Sequence, residues 1–149
     1  HLEGQTLDVL ANGASHPDKT VASGALAMDV STTSAAIGLE FTSAMQTLRI
    51  ESGSQDGVSQ GKPKRIHGVT LRLHRTVGIE IGSSSENVDR IPFRDSSMSM
   101  DIAVPLFTGD KDVEFSGGFE DGDRLYVQQT QPLPLTVLAL YPRMNTYDI

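Results

Sequence analysis

The stretch "GVSQGKPKR", residues 57–65, is the chain's nearest approach to a phosphate-binding loop. Such a loop needs four residues between its glycines, then Lys and a magnesium-binding Ser or Thr, with a helix after it. Here three residues separate Gly57 from Gly61, Pro63 stands where the hydroxyl belongs, and a strand pattern follows. The spacing argues against nucleotide binding. What remains is positive charge: five of the twelve Lys and Arg, with two of the four His, fall between Lys62 and Arg75. Lys62, Lys64 and Arg65 sit in a Gly- and Ser-rich loop expected to hold them outward. They are the candidate contacts to DNA phosphates or to an acidic face of a partner. A solvated loop is the plainer reading of the same residues.

The other chemistry-bearing residues form no recognised constellation. In "GDKDVEFSGGFEDGD", Asp110, Asp112 and Glu114 alternate and Glu120, Asp121 and Asp123 follow, but the register of a calcium loop and its distant bidentate Glu are missing. Alternate carboxylates on a strand also describe an ordinary exposed edge. His1, His16, His67 and His74 have no metal-motif spacing, and His67 and His74 fall on opposite faces of one strand if its alternation is unbroken. Serine is abundant without a Gly-x-Ser-x-Gly elbow. Neither a catalytic residue nor a cofactor or metal site is expected.

Composition narrows the field further. The 149 residues suit one domain that buries roughly 68–70% of its unfolded surface. A net charge of −7 argues against a free-standing nucleic-acid or anionic-membrane binder, so any basic patch is local. With no cysteine, disulfides, thiolate zinc sites and cysteine nucleophiles are excluded. Three Tyr, five Phe and no Trp make a poor stacking platform for single strands or glycans. No apolar run approaches the roughly 20 residues of a membrane helix, and "HLEGQTLDVL" does not read as a signal peptide. The start without Met, already approaching a strand, suggests a piece of a longer polypeptide, or an appended His-Leu-Glu.

The elements that must position these residues read as strands. Period-two patterns recur between Gly, Asn, Asp and Ser clusters, which predicts an all-β, antiparallel β-sandwich or barrel-like domain with short strands and long loops. Thr6 to Leu10 forms a strand that turns at Asn12-Gly13, and Val21 and Leu26 flank a second short hairpin at Gly24. Ala36 to Phe41 and Gln46 to Glu51 are the next two strands, then Ile66 to Arg75 with Val69, Leu71 and Leu73 inward, then Val77 to Ile81. "GSSSEN" reads as a loop. Asp112 to Phe115 and Arg124 to Gln129 are expected to form a hairpin across "SGGFEDGD". The apolar "LPLTVLALYPRM" is expected at the centre of the core. A single domain over 1–149 is the simplest organisation. A linker near residues 29–36 would allow a small N-terminal β unit over 1–31 before a main domain over 32–149.

Several phrases taken in order, "HLEGQTLDVLANGASHP", "IGLEFTSAMQTLRIE", "SQDGVSQGKPKRIHGVTLRL", "IPFRDSS", "PLFTGDKDVEFSGGF" and "QPLPLTVLALYPRM", carry a resemblance across nearly the whole chain. Together they resemble the C-terminal part of tail nozzle or tail tubular B-like virion proteins of tailed bacteriophages and prophages. That resemblance implies a non-catalytic β-rich module, made in the host cytoplasm and incorporated into the virion. It also implies a homo-oligomeric ring, other tail proteins as partners, and a conduit through which double-stranded DNA passes. A head-to-tail contact follows as an expectation, with acidic segment 110–123 of one subunit meeting basic segment 62–75 of the next.

Two readings from other classes compete. A receptor- or glycan-binding module at the tail tip would present loops 52–65 and 83–101. An envelope hydrolase would need a carboxylate pair such as Asp110 and Glu114, which nothing orders into an acid and a nucleophile.

Overall fold

The computed structural model describes residues 1–51, 53–54, 57–58, 61–115, 118 and 124–146. Among them every regular element is a strand, and all the pairings are antiparallel. The architecture is sandwich-like and does not close into a barrel.

Strands β1 (Thr6–Ala11) and β2 (Ala14–Thr20) form the first hairpin, and β3 (Ala35–Leu39) pairs with the other side of β1. The hairpin turns where the sequence places it, because Asn12 and Gly13 both hold positive φ, 50° and 82°, as a two-residue turn matching strand twist requires. The second short hairpin is a single bridge between Ala22 and Ala25 around Ser23 and Gly24, which also have positive φ. Because β3 joins it, this first sheet draws on residues from Thr6 to Leu39.

The main body is built on β7 (Lys64–Thr76), flanked by β10 (Phe107–Glu114) and β12 (Val137–Thr146). The facing sheet has the order β4 (Ser43–Gln46), β11 (Tyr126–Gln129), β8 (Glu80–Ser84), β9 (Asn87–Arg90). A two-stranded ladder of β5 (Gly53–Ser54) and β6 (Gly57–Val58) completes the list. Ile66, Val69, Leu71 and Leu73 of β7 pack against Ile79, Ile81, Ile91, Leu125 and Val127. Each such side chain contributes roughly 1.5–3 kcal/mol when fully buried.

Four expectations are corrected. The second strand of the 34–51 segment is Ser43–Gln46, not Gln46–Glu51. Residues 83–90 are not a loop: β8 and β9 form a tight hairpin with Ser85 and Glu86 at its turn. β10 and β11 do not pair, because β10 lies against β7 while β11 fits between β4 and β8. β12, the most apolar run, is an edge strand with Leu138 and Tyr141 exposed, and β7 takes the centre. Apolar content alone did not identify the central strand, since only a strand paired on both sides has its whole backbone shielded.

The alternation in β7 changes phase at a bulge. Gly68 faces Arg143 of β12 while Ile66 faces Met144, which leaves His67 as the extra residue. Inward positions are therefore Lys64 and Ile66 on one side of the bulge and Val69, Leu71 and Leu73 on the other. A second irregularity, with Arg75 at φ 46°, lies where Phe107 faces Thr76 and Gly109 faces Leu73, and Thr76 is turned inward.

Candidate assembly surface

The three basic candidates separate. Arg65 is exposed, Lys62 is half-buried, and Lys64 is 1% exposed. The Lys64 ammonium donates to the Glu51 carboxylate at 2.7 Å and to the Ile50 carbonyl at 3.2 Å. The expectation that Lys64 is held outward is thus corrected. Unbroken alternation from Val69, Leu71 and Leu73 assigns residue 64 to the wet face, and the bulge at His67 and Gly68 reverses that assignment.

Two carboxylates of the acidic segment expected to meet a neighbouring subunit meet the strand of the basic segment within the chain. Arg72 clasps Asp110 with two bonds of 2.7 Å, Nε to Oδ1 and Nη2 to Oδ2. This bidentate grip holds the Asp110 carboxyl below its ordinary value and raises the Arg72 guanidinium above its own. Thr70 donates its hydroxyl to Asp112, and the Arg143 guanidinium lies 3.6 Å from the same carboxylate. Arg72 also sits over the Tyr141 ring, 5.3 Å from its centroid. Pairing of β10 with β7 makes these contacts directly, so Asp110 and Asp112 are engaged without a neighbouring subunit. Glu120, Asp121 and Asp123 lie outside the described residues.

The feature that sequence reasoning missed is apolar. Alternation over Ile37, Leu39 and Phe41 reads as one buried face, yet every residue of β3 is exposed, Phe41 is 75% exposed and Leu48 88%. With Met45 they give five large exposed apolar side chains within residues 37–48. Beside β3 runs a groove of about 430 Å³ lined by Leu10, Ala36, Leu39, Phe41, Leu133 and Leu135. The sequence signal was present in the strand's alternation, but alternation cannot tell a covered face from one awaiting cover.

One end of the groove is acidic. Asp8 lines it and also lines a neighbouring cavity of about 500 Å³ with Asp18, Glu40 and His16. Burial, then the charge of Asp18 and a hydrogen bond shared with it, then the charge of Glu40, push the Asp8 carboxyl above its ordinary value. His16 is directed elsewhere: its Nε2 faces the Asp29 backbone N–H at 3.4 Å and its Nδ1 the Pro17 carbonyl at 2.8 Å.

No protein-family model matches the chain, and no curated protein matches it. The site therefore stands on its own chemistry. Among the described residues no group of three or more His, Cys, Asp or Glu could hold a metal ion, and no helix is long and apolar enough to cross a membrane. Among the described residues the arrangement offers an uncovered apolar surface and an unpaired sheet edge flanked by carboxylates, which are features that suit contact with another molecule.

Proposed function

We propose that the chain is a structural, assembly-competent β-module of a tailed-bacteriophage virion, of the tail nozzle or tail tubular type, that helps build the conduit for DNA delivery. The observation that carries this reading is the exposed apolar run from Ile37 to Leu48, which a solitary soluble domain has no reason to present to water. The ordered resemblance of the quoted phrases supplies the setting. The grip of Arg72 lowers the Asp110 carboxyl, which disfavours it as the acid of a pair with Glu114 and so supports a role without a catalytic step. A net charge of −7 fits a surface past which DNA moves without being captured.

The test is electron microscopy of tailed particles carrying the full-length protein, with this segment tagged. Tag density in several copies around the tail axis is the expected result. Absence of the protein from purified particles would sink the proposal. Labelling at the extreme tip, with specific binding of the purified domain on a glycan array, would favour the receptor-binding alternative.

A further inference from the structure

One cleft combines an unguarded backbone, apolar room and unpaired negative charge. The backbone is that of β3. An edge strand leaves N–H and C=O groups unpaired, and proteins guard such edges with charge, proline, bulges or extreme shortness. β10 carries Asp110, Lys111, Asp112 and Glu114, β12 carries Pro142 and Arg143, and β2 carries Pro17, Asp18 and Lys19. β3, Ala-Ala-Ile-Gly-Leu, has neither charge nor proline, its register with β1 is regular, and among the described residues no strand pairs with its other side. The apolar room lies beside it. Pairing sets Ala36 opposite Leu10 and Gly38 opposite Asp8, so these four share one face of the sheet, and all four line the groove of about 430 Å³ together with Leu133 and Leu135. A Cβ at Gly38 would meet nothing within 4 Å. The charge stands at the adjoining end. Asp8, Asp18 and Glu40 line the cavity of about 500 Å³, and among the described residues no cation pairs with any of them. Asp8 belongs to both spaces, and its raised carboxyl means that the fold holds this charge at a cost to its own stability.

We infer that this cleft takes an extended polypeptide segment of a partner protein, added as a strand along β3, with apolar side chains in the groove and a Lys or Arg at the Glu40 end. The inference rests on the reading of residues 37–48 as an assembly surface and names the chemistry of what that surface receives. Each property of the cleft selects one feature of the occupant. Unpaired backbone groups select a polypeptide over a small organic cation, because only a polypeptide satisfies a row of N–H and C=O groups. The groove selects apolar side chains at alternate positions, since every second residue of an added strand turns to the face shared by Ala36 and Gly38. The three carboxylates select the base: an acidic residue there would bring like charges together, and DNA phosphates are turned away for the same reason. Glu40 follows β3 immediately and Asp8 lies opposite Gly38, so the base belongs at that end of the strand. A contact of this kind joins two different surfaces and sets no limit on the number of subunits around an axis.

The test is selection of short random peptides, displayed on ribosomes, against the immobilised chain. The enriched sequences should alternate apolar residues and carry a Lys or Arg. A synthetic copy of the leading sequence should shift the amide resonances of β3 and bind more weakly as salt rises. Gly38→Val puts a side chain into the groove from a position whose Cβ meets no neighbour, so the fold, checked by circular dichroism, should stand while affinity for the peptide falls about 10-fold or more. Asp18→Lys with Glu40→Lys, both at exposed positions, leaves the groove intact and should turn the selection from Lys and Arg to Asp and Glu. Enrichment of no sequence, or of sequences without Lys or Arg, overturns the inference. So does an affinity unmoved by Gly38→Val, or binding of hexylamine as tight as that of the peptide. Presence in virions with no such peptide selected removes this site alone. Selection as described with absence from virions removes the virion reading and leaves the site.

Discussion

Lys64 and Glu51 form a 2.7 Å ion pair in which the lysine side chain is 1% exposed and the glutamate 31%, so the charge carried farthest into the fold leans on a partner near the surface. The asymmetry decides what substitution does. Glu51→Gln leaves a buried ammonium without its counter-charge and should cost about 2–4 kcal/mol, somewhat below a fully buried pair because water reaches the carboxylate. Lys64→Met removes the charge and keeps the volume, and should be neutral or stabilising. Adding Lys64→Met to Glu51→Gln should recover most of the loss. Urea midpoints of the four proteins check this cycle.

Asn12 does more than turn the first hairpin. Its Oδ1 accepts from the backbone N–H of Thr33 and Ser34 at 3.0 and 3.2 Å, and its Nδ2 donates to the Ser31 carbonyl at 3.3 Å. The side chain thereby ties the segment leading into β3 to the β1 and β2 turn. Asn12→Gly keeps the positive φ and loses these bonds, with an expected cost of about 1–2 kcal/mol. Asn12→Ala adds backbone strain of about 1 kcal/mol. Faster hydrogen exchange at Thr33 and Ser34 in both variants would show that the loss is local.

Gly82 has no room for a side chain. A Cβ there would fall 1.7 Å from the Asn87 carbonyl oxygen and 2.7 Å from the Val88 Cα, both backbone atoms of the paired strand. Gly82→Ala must spread β8 from β9, and should destabilise the domain by about 3 kcal/mol or more. Thermal unfolding followed by circular dichroism reads the loss, and an unchanged midpoint would contradict the packing described.

Acid should weaken the fold through Glu80. Burial alone would raise its carboxyl, but bonds from Arg90 at 2.6 Å, Gln128 at 2.8 Å and Thr130 at 3.4 Å prevail and leave it below the ordinary 4.5. A carboxyl lowered in the folded state stabilises above the unfolded value, and the contribution is lost as pH falls through the folded one. Glu80→Gln should therefore cost about 1–3 kcal/mol at pH 7, a cost that shrinks as acid protonates the folded-state carboxylate, and urea midpoints over a range of pH check it.

Asp8 has the opposite sign. Its raised carboxyl means that ionisation opposes folding, so the penalty is present at neutral pH and disappears as acid protonates the group. Asp8→Asn should stabilise the domain by about 0.5 kcal/mol at pH 7 and leave it unchanged in acid. Stability curves for the two proteins that run parallel over the whole range would refute the raised carboxyl that burial and the neighbouring Asp18 and Glu40 impose.

Several of these residues were legible before folding. The turn at Asn12-Gly13 needs only the tolerance of those two residues for positive φ, and the inward row Val69, Leu71 and Leu73 needs only the period of an extended chain. Lys64 was not legible, because one extra residue at His67 reverses the faces of everything before it, and a bulge is settled by the partner strand β12.

Local chemistry, then, determined the all-β class, the first turn and the dominant buried row, since each depends on residues a few positions apart. Tertiary structure alone decided which strands are neighbours: that β10 meets β7 and occupies its own acidic row with Arg72 and Thr70, and that among the described residues β12 lies at an edge and no strand covers the far side of β3. Pairing joins segments tens of residues apart, and an apolar alternation reads the same in sequence whether its face is covered by the chain or left for another molecule.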